Sequence, residues 1–140
     1  MRQVTAAGNR FRQAHGLPAV LDAACDAFEA ILTVIGDYED ATSNGGVITF
    51  LLVATQAANG RDALLFAPSL PPRALHSMAA PDEAESVSVI RSSVAEVSEL
   101  LAAGLARTAT TSTDGADLAA CRDAATCAAR ISDLLAGAGP

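Results

Sequence analysis

Residues 18–40 read PAVLDAACDAFEAILTVIGDYED, and this stretch decides the fold. Its inward apolar residues recur at three- and four-residue steps, the spacing of one face of an α-helix. They are Leu21, Ala24, Phe28, Ile31, Ile35 and Tyr38. Acidic residues, among them Asp22, Asp26 and Asp37, follow the opposite side. The pattern predicts an amphipathic helix over 18–40 with a solvated acidic face.

Two later stretches have the same periodicity. Residues 82–106 follow Pro81 with an acidic first turn, which suits the helix dipole, and their apolar stripe predicts a second amphipathic helix. Residues 115–136 predict a third, with Asp114 as its capping residue and Asp117 reinforcing the first turn. The two stripes are Val87, Ile90, Val94, Val97 and Leu101, and Leu118, Cys121, Ala125, Ala128, Ile131 and Leu135.

Residues 47–67 allow two interpretations. The β-branched start Val47-Ile48-Thr49 and the Asn59-Gly60 pair suit a hairpin with 63–67 as its return strand. The Leu51-Leu52 pair and the alanines after it continue a helix well, and Gly60 stands where a helix-terminating glycine belongs. The second interpretation predicts a helix over 47–59, apolar all round and therefore buried, followed by a short turn over 61–67.

These segments predict an all-α four-helix bundle, which occupies 17–137 as a single domain. Alanine is the commonest residue and has the highest helix propensity, so the helices can approach closely around a thin core. Residues 1–16 carry three arginines and no sustained apolar period, which predicts a flexible basic arm. Four prolines lie between 68 and 81 and predict an irregular loop.

Charge and length exclude some classes of function. The 140 residues have a formal net charge of −7, which argues against binding nucleic acid or an anionic membrane surface. The longest apolar run, 47–54, is far shorter than the ~20 residues that span a bilayer. No export signal is evident, so we expect a cytoplasmic protein.

No motif nominates a catalytic residue, a cofactor or a metal. The two histidines are His15, in the predicted arm, and His76, in the proline-rich loop, and neither belongs to a Glu-x-x-His motif. There is no Cys-x-x-Cys pair, no glycine-rich phosphate loop and no Gly-x-Ser-x-Gly. We therefore expect no cofactor and no metal, and the sequence leans away from an enzyme.

The three cysteines have a structural and a redox interpretation. Reduced cysteine is a common small core residue in cytosolic proteins. If the helices over 18–40 and 115–136 are antiparallel neighbours, however, Cys25 lies nearly level with Cys127, within range of a disulfide. Cys121 lies about 12 Å away along the axis. The second interpretation predicts a Cys25–Cys127 disulfide under mild oxidation.

The function expected from the sequence is a non-catalytic protein-interaction or assembly module. The partner is a protein or a second copy, and a homodimer is favoured because alanine-rich packing buries little area in a lone bundle. One candidate surface is the apolar strip Leu64, Leu65, Phe66 and Leu70, which either docks a partner or covers one end of the core. The expected dimer face is rich in alanine: Ala102, Ala103, Ala106, Ala120 and Ala124.

An alternative function is a small-molecule-binding or accessory catalytic bundle. It would have an apolar pocket near residues 64–76, with Tyr38 or His76 as the polar contact to the ligand.

Overall fold

The computed structural model describes residues 2–41, 47–73 and 86–137. Within these ranges the secondary structure is helical, which confirms the all-α prediction. The helices are α1 (Arg2–Gln13), α2 (Leu17–Ala41), α3 (Val47–Leu65), α4 (Val87–Thr111) and α5 (Gly115–Gly137). The described part of the chain therefore has five helices where the sequence predicted four.

Four of the helices form an antiparallel ring in the order α2, α3, α5, α4, and α1 packs across α2 and α4. Ser69, just after α3, bonds Asp117 in the first turn of α5, so these two helices run in opposite directions. Their inward residues form one core. Its largest fully buried side chains are Val4, Leu21, Phe28, Ile31, Ile35, Phe50, Val53, Leu64, Val94, Leu101, Leu105 and Ile131.

The ring order corrects the predicted neighbours. In the described part of the chain α2 and α5 do not contact each other, because α3 and α4 separate them. The ends of α3 and α4 both lie beside the start of α5, so α3 and α4 run parallel. α4 therefore begins at the end of the bundle opposite to the one where α3 ends. The predicted Cys25–Cys127 disulfide requires the helices over 18–40 and 115–136 to be neighbours, and α2 and α5 are not.

The predicted arm is also wrong, because residues 2–13 are a helix of the domain. Val4, Ala7 and Phe11 of α1 are buried in the core. A Cβ placed on Gly104 of α4 would lie 2.5 Å from Cε2 of Phe11, and one placed on Gly8 would lie 2.9 Å from Cγ2 of Val97. Glycine on both helices thus permits the close approach of α1 and α4. Gly16, at a φ of +87°, turns the chain from α1 into α2.

α3 is one continuous helix, which contradicts both the hairpin and the break at Gly60. Gly60 is buried, and a Cβ there would lie 2.6 Å from Cζ of the fully buried Phe28. It therefore provides room for an aromatic ring of α2 and does not end the helix. α3 is also not buried all round, since Leu51 and Leu52 are exposed.

Side chains cap the N-termini of α4 and α5. The Ser86 hydroxyl accepts from the Val89 N–H, so α4 begins at Val87, and it continues past the predicted end at 106 to Thr111. The predicted residues 82–85 lie outside the described part. Asp114 accepts from the N–H groups of Ala116 and Asp117 at 2.8 and 3.0 Å, which confirms its predicted role as the cap of α5.

Candidate functional site

In the described part of the chain, the large exposed apolar side chains are concentrated on α3. Leu51 and Leu52 are 54 % and 47 % exposed near its start, and Leu65 is 52 % exposed at its end. Phe66, which directly follows the helix, is 82 % exposed. We call these four residues the α3 face. The fifth large apolar side chain exposed in the described part, Val89, lies apart from them on α4.

The four residues lie on one side of α3 because of its helical period. The two pairs are 14 residues apart, so they return to the same side within about 40° and are separated by about 21 Å along the axis. The helical path continues past Leu65, since the N–H of Phe66 donates to Ala63 at 3.3 Å and that of Ala67 to Leu64 at 3.0 Å. α3 contacts α2 and α5 among the described elements, and the four residues of the α3 face stay exposed beside those contacts.

The segment that follows α3, residues 66–73, is held to the bundle at two points, and we call it the strap. The first point is Asp117, whose side chain is 2 % exposed. Its Oδ1 accepts from the Ser69 N–H at 3.0 Å, and its Oδ2 from the Ser69 hydroxyl at 2.6 Å. A buried carboxylate must have hydrogen-bond donors, and Ser69 supplies two.

The second point is Arg73, which bonds carboxylates of α2. The predicted solvated acidic face of α2 is therefore partly covered by the strap. The Arg73 guanidinium donates to Asp22 at 2.7 Å, to Asp26 at 2.6 Å and to Glu29 at 3.1 Å, and also to the backbone oxygen of Asp22 at 3.1 Å. The Arg73 side chain is only 14 % exposed. Burial lowers its pKa, but the hydrogen bond with Asp26 and the neighbouring negative groups outweigh burial and raise the pKa above its ordinary value.

The predicted partner-binding strip is divided by the structure. Leu64 is fully buried in the core. Leu70 is partly buried and packs against the core, so these two residues cover the end of the bundle. Leu65 and Phe66 are exposed and belong to the α3 face. The strip therefore divides into a covered part, Leu64 and Leu70, and an exposed part, Leu65 and Phe66.

The predicted alanine-rich dimer face is not one surface. Ala120 and Ala124 are buried in the core on the inner side of α5. On α4, Ala102 packs partly buried against the core, whereas Ala103 and Ala106 are exposed.

The cysteines do not form the predicted pair. All three are free and buried, and Cys25 lies on α2 while Cys121 and Cys127 lie on α5, which α2 does not contact. Burial raises the pKa of the Cys25 thiol to about 12, and the nearby carboxylates add to this while Arg73 opposes it. Burial also raises the pKa values of Cys121 and Cys127. Protonated, enclosed thiols are poor nucleophiles and poor metal ligands.

Two clefts lie away from the predicted pocket at 64–76. One, of about 540 Å³, opens between the start of α3 and the end of α5. It is lined by Thr49, Leu52, Gln56, Arg130, Asp133, Leu134 and Gly137.

A smaller cleft, of about 270 Å³, lies between Gly16–Val20 and the end of α4. His76 and the Tyr38 side chain lie outside the described part, and His15 is exposed beyond the end of α1.

No group of three histidine, cysteine, aspartate or glutamate side chains in residues 2–41, 47–73 and 86–137 is arranged to hold a metal ion. None of the helices described is long and apolar enough to cross a membrane. Comparison of the chain with protein-family models, with curated proteins and with solved structures found no match.

Proposed function

We propose that this chain is a non-catalytic assembly module that self-associates through the α3 face. The observation that carries the proposal is the position of Phe66. The chain has five aromatic residues, and Phe66 is 82 % exposed beside the exposed Leu65. Exposed apolar residues grouped on one surface are characteristic of protein interaction sites, whereas single ones are ordinary.

The strap supports the proposal because it fixes the position of Phe66. Ser69, three residues later, is bonded to the buried carboxylate of Asp117, and Arg73 is bonded to three carboxylates of α2. An aromatic residue on a fixed backbone loses little conformational freedom when a partner covers it. This favours a docking role over a mobile loop tip.

The expected association is weak. Covering a half-exposed leucine stabilises the complex by about 1 kcal/mol, and covering Phe66 by about 2 kcal/mol. Two copies then gain roughly 10 kcal/mol, which is similar to the ~4–15 kcal/mol lost in translational and rotational freedom. We therefore expect a concentration-dependent dimer and not a permanent one.

The proposal favours the α3 face over the alanines of α4. Ala103 and Ala106 are exposed, but covering an alanine buries little apolar area and contributes much less than covering Phe66. Ala120 and Ala124 are already covered by the chain's own core.

Sedimentation velocity over about 10 to 500 μM, a range suited to weak association, tests the proposal. Phe66→Gln removes the main apolar contact and adds no charge. Val89→Gln on α4 is the matched control, because Val89 is also exposed and apolar but lies outside the α3 face. Ala103→Arg tests the alanine-rich surface.

We expect the unmodified chain to show a concentration-dependent dimer, Phe66→Gln to weaken it more than about 100-fold, and both other variants to leave it unchanged. A monomer at the highest concentration would contradict self-association. A dimer that survives Phe66→Gln but dissociates with Ala103→Arg would place the interface on α4.

A further inference from the structure

The larger cleft is built from matching sides of two antiparallel helices, α3 and α5. Its lining residues follow one another at three- and four-residue steps, which run in opposite directions along the two helices. This arrangement gives three level pairs, each with one residue from α3 and one from α5: Gln56 with Arg130, Leu52 with Leu134, and Thr49 with Gly137. The cleft is therefore polar at the first level, apolar at the second, and open beside a glycine at the end of the bundle.

Gln56 brings to this cleft a hydrogen-bond acceptor that has no donor. The residue is partly exposed, but its Oε1 is buried and accepts no hydrogen bond within the described part of the chain. A buried amide oxygen without a donor destabilises a fold, and most such oxygens have one. An apolar side chain of similar size would pack there without that cost. A glutamine in the wall of a cleft therefore points to a donor group that enters the cleft.

The charged side chains of the cleft, Arg130 and Asp133, have opposite signs. Both are exposed, and neither forms an ion pair or a hydrogen bond with another described residue. They are three residues apart on the same side of α5, which separates their Cβ atoms by about 5–6 Å. A ligand with one charge would be attracted by one side chain and repelled by the other. A ligand with both charges on neighbouring atoms is attracted by both.

The apolar level of the cleft selects the rest of the ligand. Leu52 is 47 % exposed, and Leu134 is partly buried against the core, so both leucines have apolar surface that a ligand can cover. Gly137, at the next level, has no side chain to close the cleft. The volume of about 540 Å³ lies within the range of about 300–1,000 Å³ that is usual for small-molecule sites.

We propose that the cleft between α3 and α5 binds a free α-amino acid with an apolar side chain. Its carboxylate accepts from the Arg130 guanidinium, and its ammonium donates to Asp133 and to Oε1 of Gln56. Its side chain packs between Leu52 and Leu134. The site adds a ligand to the assembly module and does not depend on self-association. Because the two charged side chains are exposed, their contribution is small and we expect a dissociation constant on the order of 1 mM.

Titration of the full chain with L-phenylalanine, followed by methyl NMR at one fixed protein concentration, tests the site. The methyl groups of Leu52 and Leu134 report on the cleft, and those of Val89 on α4 are the control. Three further compounds separate the parts of the ligand. N-acetyl-L-phenylalanine has no ammonium, L-phenylalaninamide has no carboxylate, and glycine has both charges but no apolar side chain.

We expect L-phenylalanine to shift the Leu52 and Leu134 signals and to leave those of Val89 unchanged, and the other three compounds to bind at least about threefold more weakly. No shift up to about 20 mM L-phenylalanine would overturn the site. Equal binding of L-phenylalanine and N-acetyl-L-phenylalanine, or of L-phenylalanine and its amide, would overturn the assigned class of ligand.

Variants of the three polar side chains test their roles. Gln56→Leu, Arg130→Gln and Asp133→Asn should each weaken binding of L-phenylalanine at least about threefold. Arg122→Gln, at an exposed position of α5 outside the cleft, should leave it unchanged. Equal binding by all four variants would overturn the polar contacts.

Thermal unfolding of Gln56→Leu adds a measurement that a purely structural glutamine would not pass. We expect the melting temperature to rise, because the variant removes a buried oxygen that has no donor, while binding weakens. A fall in melting temperature would overturn the argument from the unpaired acceptor. Phe66→Gln, which tests self-association, should leave binding of L-phenylalanine unchanged, so either proposal can fail without the other.

Discussion

The bond between the strap and α5 makes a strong prediction about stability, because it joins residues 48 positions apart through one buried carboxylate. In Asp117→Ala both hydrogen bonds of Ser69 to that carboxylate are lost. Each hydrogen bond to a charged group contributes about 1.5–3 kcal/mol. Relief of the cost of burying the charge offsets part of this sum, so we expect the free energy of unfolding to fall by about 2–4 kcal/mol.

Urea unfolding followed by circular dichroism measures this effect. Asp123→Ala on the same helix is the control, because Asp123 is exposed and should change stability by less than about 0.5 kcal/mol. Ser69→Ala, alone and combined with Asp117→Ala, completes a double-mutant cycle. We expect a coupling energy of about 1.5–3 kcal/mol between the two side chains. A loss with Asp117→Ala no larger than with Asp123→Ala would refute the argument that this bond holds the strap.

Three further predictions concern the core, the charges and the thiols. Gly60→Ala should destabilise the fold by about 1–2 kcal/mol, because overpacking against Phe28 outweighs the gain in helix propensity. Gly36→Ala should stabilise the fold by up to about 1 kcal/mol, because there is open space around a Cβ at that position. Thermal unfolding of the two variants compares these effects. Arg73→Gln should lower the free energy of unfolding by about 1–2 kcal/mol at low salt and by less at 1 M salt, because its carboxylate partners are partly exposed. Arg122→Gln, at an exposed position, should change the free energy of unfolding little at either salt concentration. Urea unfolding measures both variants. Cys25 has a pKa of about 12 in the folded chain, above the value of about 8.5 for an unfolded thiol, so the unfolded chain loses this proton first and stability falls as pH rises from about 9 toward 12. Unfolding measured across that range should show a smaller fall for Cys25→Ala, and an equal fall in both proteins would contradict the burial argument.

Helical periodicity was sufficient to find α2, α4 and α5, because each has one buried stripe and one polar side. It failed for α1, where three buried residues, Val4, Ala7 and Phe11, are the whole apolar stripe of a short arginine-containing segment. The contacts that hold α1 involve Gly104 on a helix almost a hundred residues later. No local pattern in the sequence reports such a contact.

The order of the helices was beyond the sequence for a related reason. An α4 antiparallel to α3 and an α4 parallel to it are both compatible with the proline-rich sequence between them. The choice depends on long-range contacts, such as Ser69 with Asp117 and Arg73 with Asp26. The predicted neighbours and the predicted disulfide failed together, because both assumed the first arrangement.

The candidate site was predicted in part. Leu65 and Phe66 are predictable because they are apolar residues directly before a proline-rich segment. Leu51 and Leu52 were assigned to a buried helix, because a helix that is apolar all round gives no indication of which side faces solvent. Arg73 has a weak sequence signal, because it is a lone arginine in the proline-rich segment of an acidic chain.

A dilution series followed by methyl NMR tests the central claim, that the α3 face is the surface of self-association, most directly. The methyl groups of Leu51, Leu52 and Leu65 report on that face, and those of Val89 and Ala103 report on exposed positions of α4. We expect the three leucine signals to shift together between about 10 and 500 μM along one binding curve, while Val89 and Ala103 remain unchanged. Shifts confined to Val89 or Ala103, or no shift in any of the five over that range, would contradict the claim.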